Sequence, residues 1–420
     1  MRSYIIRFLF LFLLLPGCVA TRKIPAPENA LAAYLGNKDR TFGWEIRERI
    51  AGEACDIAIV KLTSQEWRGI KWVHQLTVIT PDEVNTDGAL LFITGGSNRD
   101  GEPKWKGIED ELLRTMISIS KKNSAVVAVV SQIPNQPLFN DLTEDALISY
   151  TLHNFRNNRD FTWPLLFPMT KSAVRAMDAV QEFERKEKSR EIRNFVVSGA
   201  SKRGWTTWLT GSQDRRVTAI IPMVIDVLNM PVNIDYQKKV WGDYSTEIED
   251  YVKLGLAQDL SSPEGRDLAA MIDPWSYRAN LSMPKLIMMG TNDEYWPADA
   301  VKNYIYDIPG RNFIHYEPNV GHDIGDGPGA IKALSAFFNT VAYRRPHFDC
   351  DWDVESDNNE TQLTIRASPE LLDATLWKCD SPDQDFRNDK FYASDVQYSD
   401  PSAFSVVISH PETGFRAFYV

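Results

Sequence analysis

The chain has 420 residues, 43% of them hydrophobic and 11% aromatic, enough to bury one large core and a second small one, which argues against a disordered or fibrous protein. Lys and Arg number 46 against 57 Asp and Glu, and the net charge of -11 sets aside nucleic acid and an anionic membrane surface as main partners.

Residues 1–18 begin Met1-Arg2-Ser3-Tyr4-Ile5-Ile6-Arg7, continue through an unbroken apolar run from Phe8 to Leu15, and end at Pro16-Gly17-Cys18. This is the pattern of an export signal, too short to span a bilayer permanently. The Leu15-Pro16-Gly17-Cys18 junction resembles a bacterial lipobox, in which Cys18 is lipidated and becomes the new N-terminus. Pro16 departs from the usual small or alcohol residue, and an ordinary signal peptide with a chance Cys is the competing reading. On either reading the mature chain leaves the cytoplasm, as a periplasm-facing envelope lipoprotein or a secreted protein, and touches membrane only through an N-terminal lipid anchor. Residues 19–44 contain Pro, charge and little sustained apolar pattern, suiting a tether and N-terminal wrap.

From Cys55 to Thr80 the alternation of Cys55 to Leu62 and His74 to Ile79 predicts antiparallel strands at the opening edge of a sheet. Short β-rich runs then alternate with helical stretches. The runs are Ala89 to Thr94, Ala125 to Val130, Asn194 to Val197, Val217 to Val224, Pro284 to Met289 and Phe313 to Tyr316. Helices are expected over Glu109 to Lys121, Thr170 to Lys188, Lys202 to Leu209, Ala298 to Tyr306 and Ala330 to Ala342. This is the signature of an α/β fold: a doubly wound, mostly parallel sheet of the α/β-hydrolase kind, spanning residues 45–343. Residues 227 to about 280 interrupt it with aromatics and charge, including Tyr236, Trp241 and Trp275, and are expected to form a cap over the carboxyl ends of the strands.

Residues 344–420 change to short alternating strands with Asp, Asn, Ser and Pro between them, suiting a small β-sandwich. Its Trp352, Trp377 and Tyr392 suit either core packing or stacking on glycans. With Cys18 assigned to the anchor, Cys55, Cys350 and Cys379 remain; their spacing fits no metal site. Cys350 with Cys379 is the expected disulfide, with buried free thiols as the alternative.

The strongest chemical signal is Phe195-Val196-Val197-Ser198-Gly199-Ala200-Ser201-Lys202-Arg203-Gly204-Trp205, an apolar strand entering a small-residue turn that presents a Ser and opens a helix. A nucleophile elbow requires this, because the Ser occupies a strained backbone position and only small neighbours let strand and helix approach. The G-x-S-x-G pattern calls for Gly where Arg203 stands; this chain has Gly204 one position later. Two further strands each deliver a catalytic residue type: Pro284 to Met289 leads to Asp293, and Phe313 to Tyr316 leads to His322. The order Ser, Asp, His is that of the α/β-hydrolases.

In that scheme Ser201 is the nucleophile, His322 the base that accepts its proton, and Asp293 the acid that orients the imidazole. Asp226, after the preceding core strand, is the alternative acid. Gly95 and Gly96, after the run ending at Thr94, and the amide of Lys202 are the expected oxyanion donors. No metal or organic cofactor is implied, and the expected partner is a small-molecule, glycan or peptide substrate.

These residues resemble the PhoPQ-activated pathogenicity-related protein family, which includes a secreted proliferation repressor. The resemblance runs over most of residues 45–420, through Ser64-Gln65-Glu66-Trp67, Ile93-Thr94-Gly95-Gly96, the elbow, Val224-Ile225-Asp226-Val227-Leu228-Asn229, Asp273-Pro274-Trp275-Ser276-Tyr277-Arg278 and Gly290-Thr291-Asn292-Asp293-Glu294. It implies an α/β-hydrolase core with a small C-terminal β-domain and makes Arg203 a family trait. The elbow is also similar to that of glucuronoyl esterases, which place Arg where Lys202 stands. The sequence thus points to an exported serine hydrolase cleaving an ester or amide, with a non-catalytic signalling or glycan-binding protein on the same scaffold as the alternative.

Overall fold

The computed structural model describes residues 25–324 and 327–420, so the expected export signal and Cys18 lie outside the described residues. A short helix α1 (Ala30–Leu35) precedes three long strands, β1 (Gly43–Gly52), β2 (Cys55–Trp67) and β3 (Ile70–Pro81). β1 was not foreseen: Glu45, Arg47, Glu48 and Arg49 are charged because the strand lies at the sheet's exposed edge, paired only with β2.

The sheet continues with β4 (Gly88–Ile93) and, beyond the small ribbon β5 (Asn98–Arg99) and β6 (Glu102–Pro103), helix α2 (Glu111–Asn123) and strand β7 (Val126–Val130). Helices α3 (Glu144–Asn158) and α4 (Leu166–Lys188) lead to β8 (Asn194–Ala200), α5 (Lys202–Gln213) and β9 (Val217–Met223). The order across the nine-stranded sheet is β1-β2-β3-β7-β4-β8-β9, closed by β10 (Lys285–Gly290) and β11 (Asn312–Glu317). Pairing is antiparallel from β1 to β7 and parallel from β7 to β11. Helices cover both faces, and for that reason β4, β7 and β10 are buried along their whole length and read as continuous apolar runs.

The segment between β9 and β10 folds as helices α6 (Met230–Trp241), α7 (Glu249–Lys253) and α8 (Pro263–Ile272) with short 3-10 turns. Helix α3, absent from the expected elements, packs on α7 and α8 and completes this cap from a second point in the chain. The expected helix from Ala298 to Tyr306 is instead two 3-10 turns, Ala300–Asn303 and Ile305–Asp307; Tyr304 leaves helical backbone between them to reach Asp226. Helix α9 (Pro328–Ala342) closes the core.

The C-terminal residues form two three-stranded antiparallel sheets. One has the order β12 (Asp349–Ser356), β13 (Glu360–Ser368), β16 (Ala403–Ser409); the other has β15 (Tyr392–Asp395), β14 (Thr375–Ser381), β17 (Phe415–Tyr419). Leu363, Ile365, Leu376, Phe404, Val406 and Ile408 make their shared core. The expected Cys350–Cys379 disulfide is not formed: Cys350 lies on β12 and Cys379 on β14, in different sheets, and both thiols are free. Trp377 stacks on Tyr419, while Trp352 and Tyr392 lie on separate sheets and form no common platform. Among the described residues no helix is long and apolar enough to cross a membrane.

Candidate active site

The turn that carries Ser201 is built by close backbone packing. Ser201 has φ 57° and ψ −124°, a strained conformation for a side-chain-bearing residue, held by its amide donating to Met223 O at 2.9 Å and its carbonyl accepting from Trp205 N at 2.9 Å. A Cβ on Gly199 would lie 2.8 Å from the carbonyl oxygen of Arg203, and one on Gly204 would lie 2.6 Å from Ile225 and 2.8 Å from Met223 O. Gly204 therefore does the close packing that the usual pattern assigns to the preceding position, which leaves position 203 free for a large side chain.

The side chains of Ser201, His322 and Asp293 meet. Ser201 Oγ is 2.7 Å from His322 Nε2, and His322 Nδ1 is 2.9 and 3.1 Å from the two Asp293 oxygens. A carboxylate only accepts, so Nδ1 carries the proton and Nε2 is left to accept from the serine hydroxyl. Asp293 is buried, takes the Tyr295 amide at 2.7 Å, and so has its remaining acceptor capacity directed at the ring. Tyr295 lies flat on the imidazole, with centroids 3.9 Å apart. Asp226 is elsewhere: it is buried, accepts from Tyr304 OH at 2.5 Å, and makes no hydrogen bond to His322. Burial, aided by the nearby charges of Asp293 and Asp299, pushes its carboxyl up to about 7 despite the Tyr304 bond.

The loops carrying Asp293 and His322 are tied to each other and to the C-terminal sheets. Asn292 N donates to Val320 O at 3.1 Å, Asn319 N donates to Thr291 Oγ1 at 2.7 Å, and a Cβ on Gly290 would collide with the Val320 and Gly321 carbonyls. Asn292 Nδ2 donates to Phe386 O at 2.7 Å and Asp389 O at 2.8 Å. Asn319 donates to Phe391 O at 3.1 Å and accepts from its amide at 2.7 Å. Residues 386–391 thus clasp both loops, a contact that sequence reading did not anticipate.

Strands β4 and β8 are parallel neighbours, so the loop after Ile93 lies beside the elbow. The amides of Gly95, Gly96 and Lys202 find no acceptor among the described residues. Arg203 braces this loop. Its guanidinium makes a two-pronged bond to Glu144 at 2.6 and 2.8 Å, its Nε donates to Ile133 O at 2.5 Å, and it lies where a Gly95 side chain would go. Gln136 Nε2 bridges Glu144, at 2.6 Å, to the carbonyl of Gly96, at 3.1 Å. Burial pushes the Glu144 carboxyl up, but the bonds and charge from Arg203 outweigh it and hold it below the ordinary carboxylate range. The Lys202 ammonium is likewise engaged, 2.7 Å from Asp145.

A pocket opens at Ser201 and His322 under the cap, lined by Leu152 of α3, Trp205 of α5, Ile234 of α6 and Leu268 of α8 among others. This slot encloses about 690 Å³ with its mouth included. Two of the quoted sequence motifs serve the scaffold. Asp273 accepts from Met230 N at 2.7 Å and Trp275 N at 2.9 Å, pinning two cap segments together, and burial pushes its carboxyl up to about 7. Gln65 accepts from Tyr34 OH at 2.7 Å and donates to Pro168 O at 2.7 Å inside the core. Glu144 and Asp145 were missed as site residues, because their roles depend on helix α3 folding over the elbow, and Tyr295 was missed because its place on the His322 ring joins two loops.

Residues 31–387 match the family described as PhoPQ-activated pathogenicity-related protein. The chain belongs to that family. It is 30% identical to autocrine proliferation repressor protein A of Dictyostelium discoideum over 92% of this chain and 84% of that one. Among solved structures it is similar to the acetyl xylan esterase from Paenibacillus sp. R4, with a TM-score of 0.53 and 14% identity over 75% of this chain and 93% of the esterase. That likeness is one of fold: this family member has an α/β-hydrolase core with additional small antiparallel sheets at its C-terminus.

Proposed function

We propose that this protein is an exported serine hydrolase that cleaves an ester or amide through an acyl-enzyme on Ser201. The observation that carries the reading is the continuous chain from Ser201 Oγ to His322 Nε2 at 2.7 Å and from His322 Nδ1 to Asp293 at 2.9 Å, at the mouth of a pocket. Ser201 Oγ attacks the substrate carbonyl as its proton passes to His322 Nε2, and Asp293 steadies the imidazolium that forms. The oxyanion is stabilised by backbone N–H groups of Gly95 or Gly96 and of Lys202. Collapse breaks the bond to the leaving alcohol or amine, which takes the proton from His322. Water, deprotonated by the same imidazole, then releases the acid and restores Ser201. Export rests on the residue pattern of positions 1–18, with lipidation at Cys18.

The test is hydrolysis of a panel of p-nitrophenyl esters and aminoacyl anilides by the purified chain beside Ser201→Ala and His322→Ala. Turnover by wild type and its loss in both variants is expected. A well-folded wild type inert on the whole panel would instead favour the second reading, a signalling protein on a hydrolase scaffold. That second reading draws its support from the name and similarity of the proliferation repressor.

A further inference from the structure

The slot beside Ser201 has an unusual wall for a site that would accept a sugar. Ile225, Met230, Ile248, Leu256, Leu260 and Ile272 supply aliphatic surface from the core and the cap, and each is buried. The two charged wall residues satisfy each other: Lys202 Nζ is 2.7 Å from Asp145, and Tyr251 OH donates to the same carboxylate at 2.9 Å. Trp296 contributes a buried indole N–H that has no acceptor among the described residues. Few groups here are left over for the several hydroxyls of a pyranose, each of which needs a partner once it leaves water.

We infer that the slot holds the acyl part of the substrate and that this part is an aliphatic chain longer than acetyl. The inference rests on the hydrolase reading above and goes beyond it by naming the substrate class. The reaction is the one already balanced: the Ser201 Oγ–acyl carbon bond forms and the acyl carbon–alcohol oxygen bond breaks. The alkyl chain remains in the slot until water releases the carboxylic acid. The cap fixes the class because its helices α3, α6 and α8 supply wall residues, whereas the core alone would leave the chain in solvent.

The experiment measures kcat/KM for p-nitrophenyl acetate, butanoate and hexanoate, and for a methyl glucuronate ester, with fluorophosphonate labelling of Ser201 in parallel. An added methylene in an apolar pocket gives about tenfold or more in selectivity. The expected result is a rise of at least about tenfold from acetate to hexanoate, with the uronate ester the poorest substrate. Ala257→Phe, which places a ring in the slot wall, is expected to lower the hexanoate-to-acetate ratio by about tenfold. A labelled, active enzyme with a flat chain-length profile or a preference for acetate or uronate overturns the inference and leaves the hydrolase reading intact. Absence of both labelling and turnover overturns both.

Discussion

The two sides of the catalytic constellation are held by different means. On the nucleophile side the restraint is local: Gly199, Ala200 and Gly204 let β8 and α5 close on each other, and Ser201 is strained within a single strand-turn-helix unit. On the acid and base side the restraint is remote. Asp293 and His322 lie on loops whose neighbouring asparagines are hydrogen-bonded to residues 386–391, almost a hundred positions downstream of Asn292. The difference teaches that a short motif can set the position of Ser201, while the placing of Asp293 and His322 draws on contacts far downstream in the chain.

The sharpest way to break this comparison is at the acid. Asp293→Asn is expected to lower kcat on the order of 10⁴-fold, because an amide cannot hold the imidazole in the required tautomer. Asp226→Asn is expected to stay within a few-fold of wild type, since that carboxyl is spent on Tyr304. The reverse pattern in steady-state kinetics would move the acid to position 226. Next in size is Gly95→Ala. Its methyl group would meet the Arg203 guanidinium and push the loop from the elbow, with an expected fall in kcat of about 10²-fold and little loss of helical or sheet signal by circular dichroism.

The remote side is addressed by Asn292→Ala, which removes donors to the Phe386 and Asp389 carbonyls. A loss of about tenfold in kcat with KM within twofold is expected, as for a small misplacement of reacting groups. An equal change in a variant of Asn37, which contacts Lys171 of α4 and neither loop, would show a general stability effect instead.

The smallest effect concerns pH. Asp226 is held up at about 7 in the folded chain, above its ordinary 3.8, so between those values the folded state binds the extra proton. The contribution of Asp226 to stability is therefore fully present below the lower value and is lost as pH rises through about 7. Asp226→Asn removes that slope. The melting temperature of the variant relative to wild type is expected to climb by roughly 1–3 °C from pH 5 to pH 8, and a pH-independent difference would contradict the assignment.

The parallel strands were legible because burial on both faces turns them into continuous apolar runs, as in Val126–Val130. Ser201 and Asp293 each follow such a run, whereas His322 follows β11, an edge strand that is only partly buried. Strand β1 was hidden by its edge position, where charge replaces apolar alternation. Helix α3 was hidden for a different reason: Leu147, Ile148, Leu152 and Phe155 mark its buried side, but the polar Ser149 and Thr151 are buried with them and blur the period. With α3 unplaced, the Arg203–Glu144 brace and the Lys202–Asp145 pair could not be inferred, since each joins residues almost sixty positions apart. The clasp at 386–391 was beyond sequence reading because it uses backbone carbonyls, which carry no residue signature.

The central claim is that Ser201 is an activated nucleophile. Its most direct test is reaction of the purified chain with a fluorophosphonate, followed by digestion and mass spectrometry to locate the adduct. The account predicts one stoichiometric adduct on Ser201, absent from Ser201→Ala and strongly slowed in His322→Ala. A folded wild-type chain that remains unlabelled, or is labelled at another serine, would contradict it.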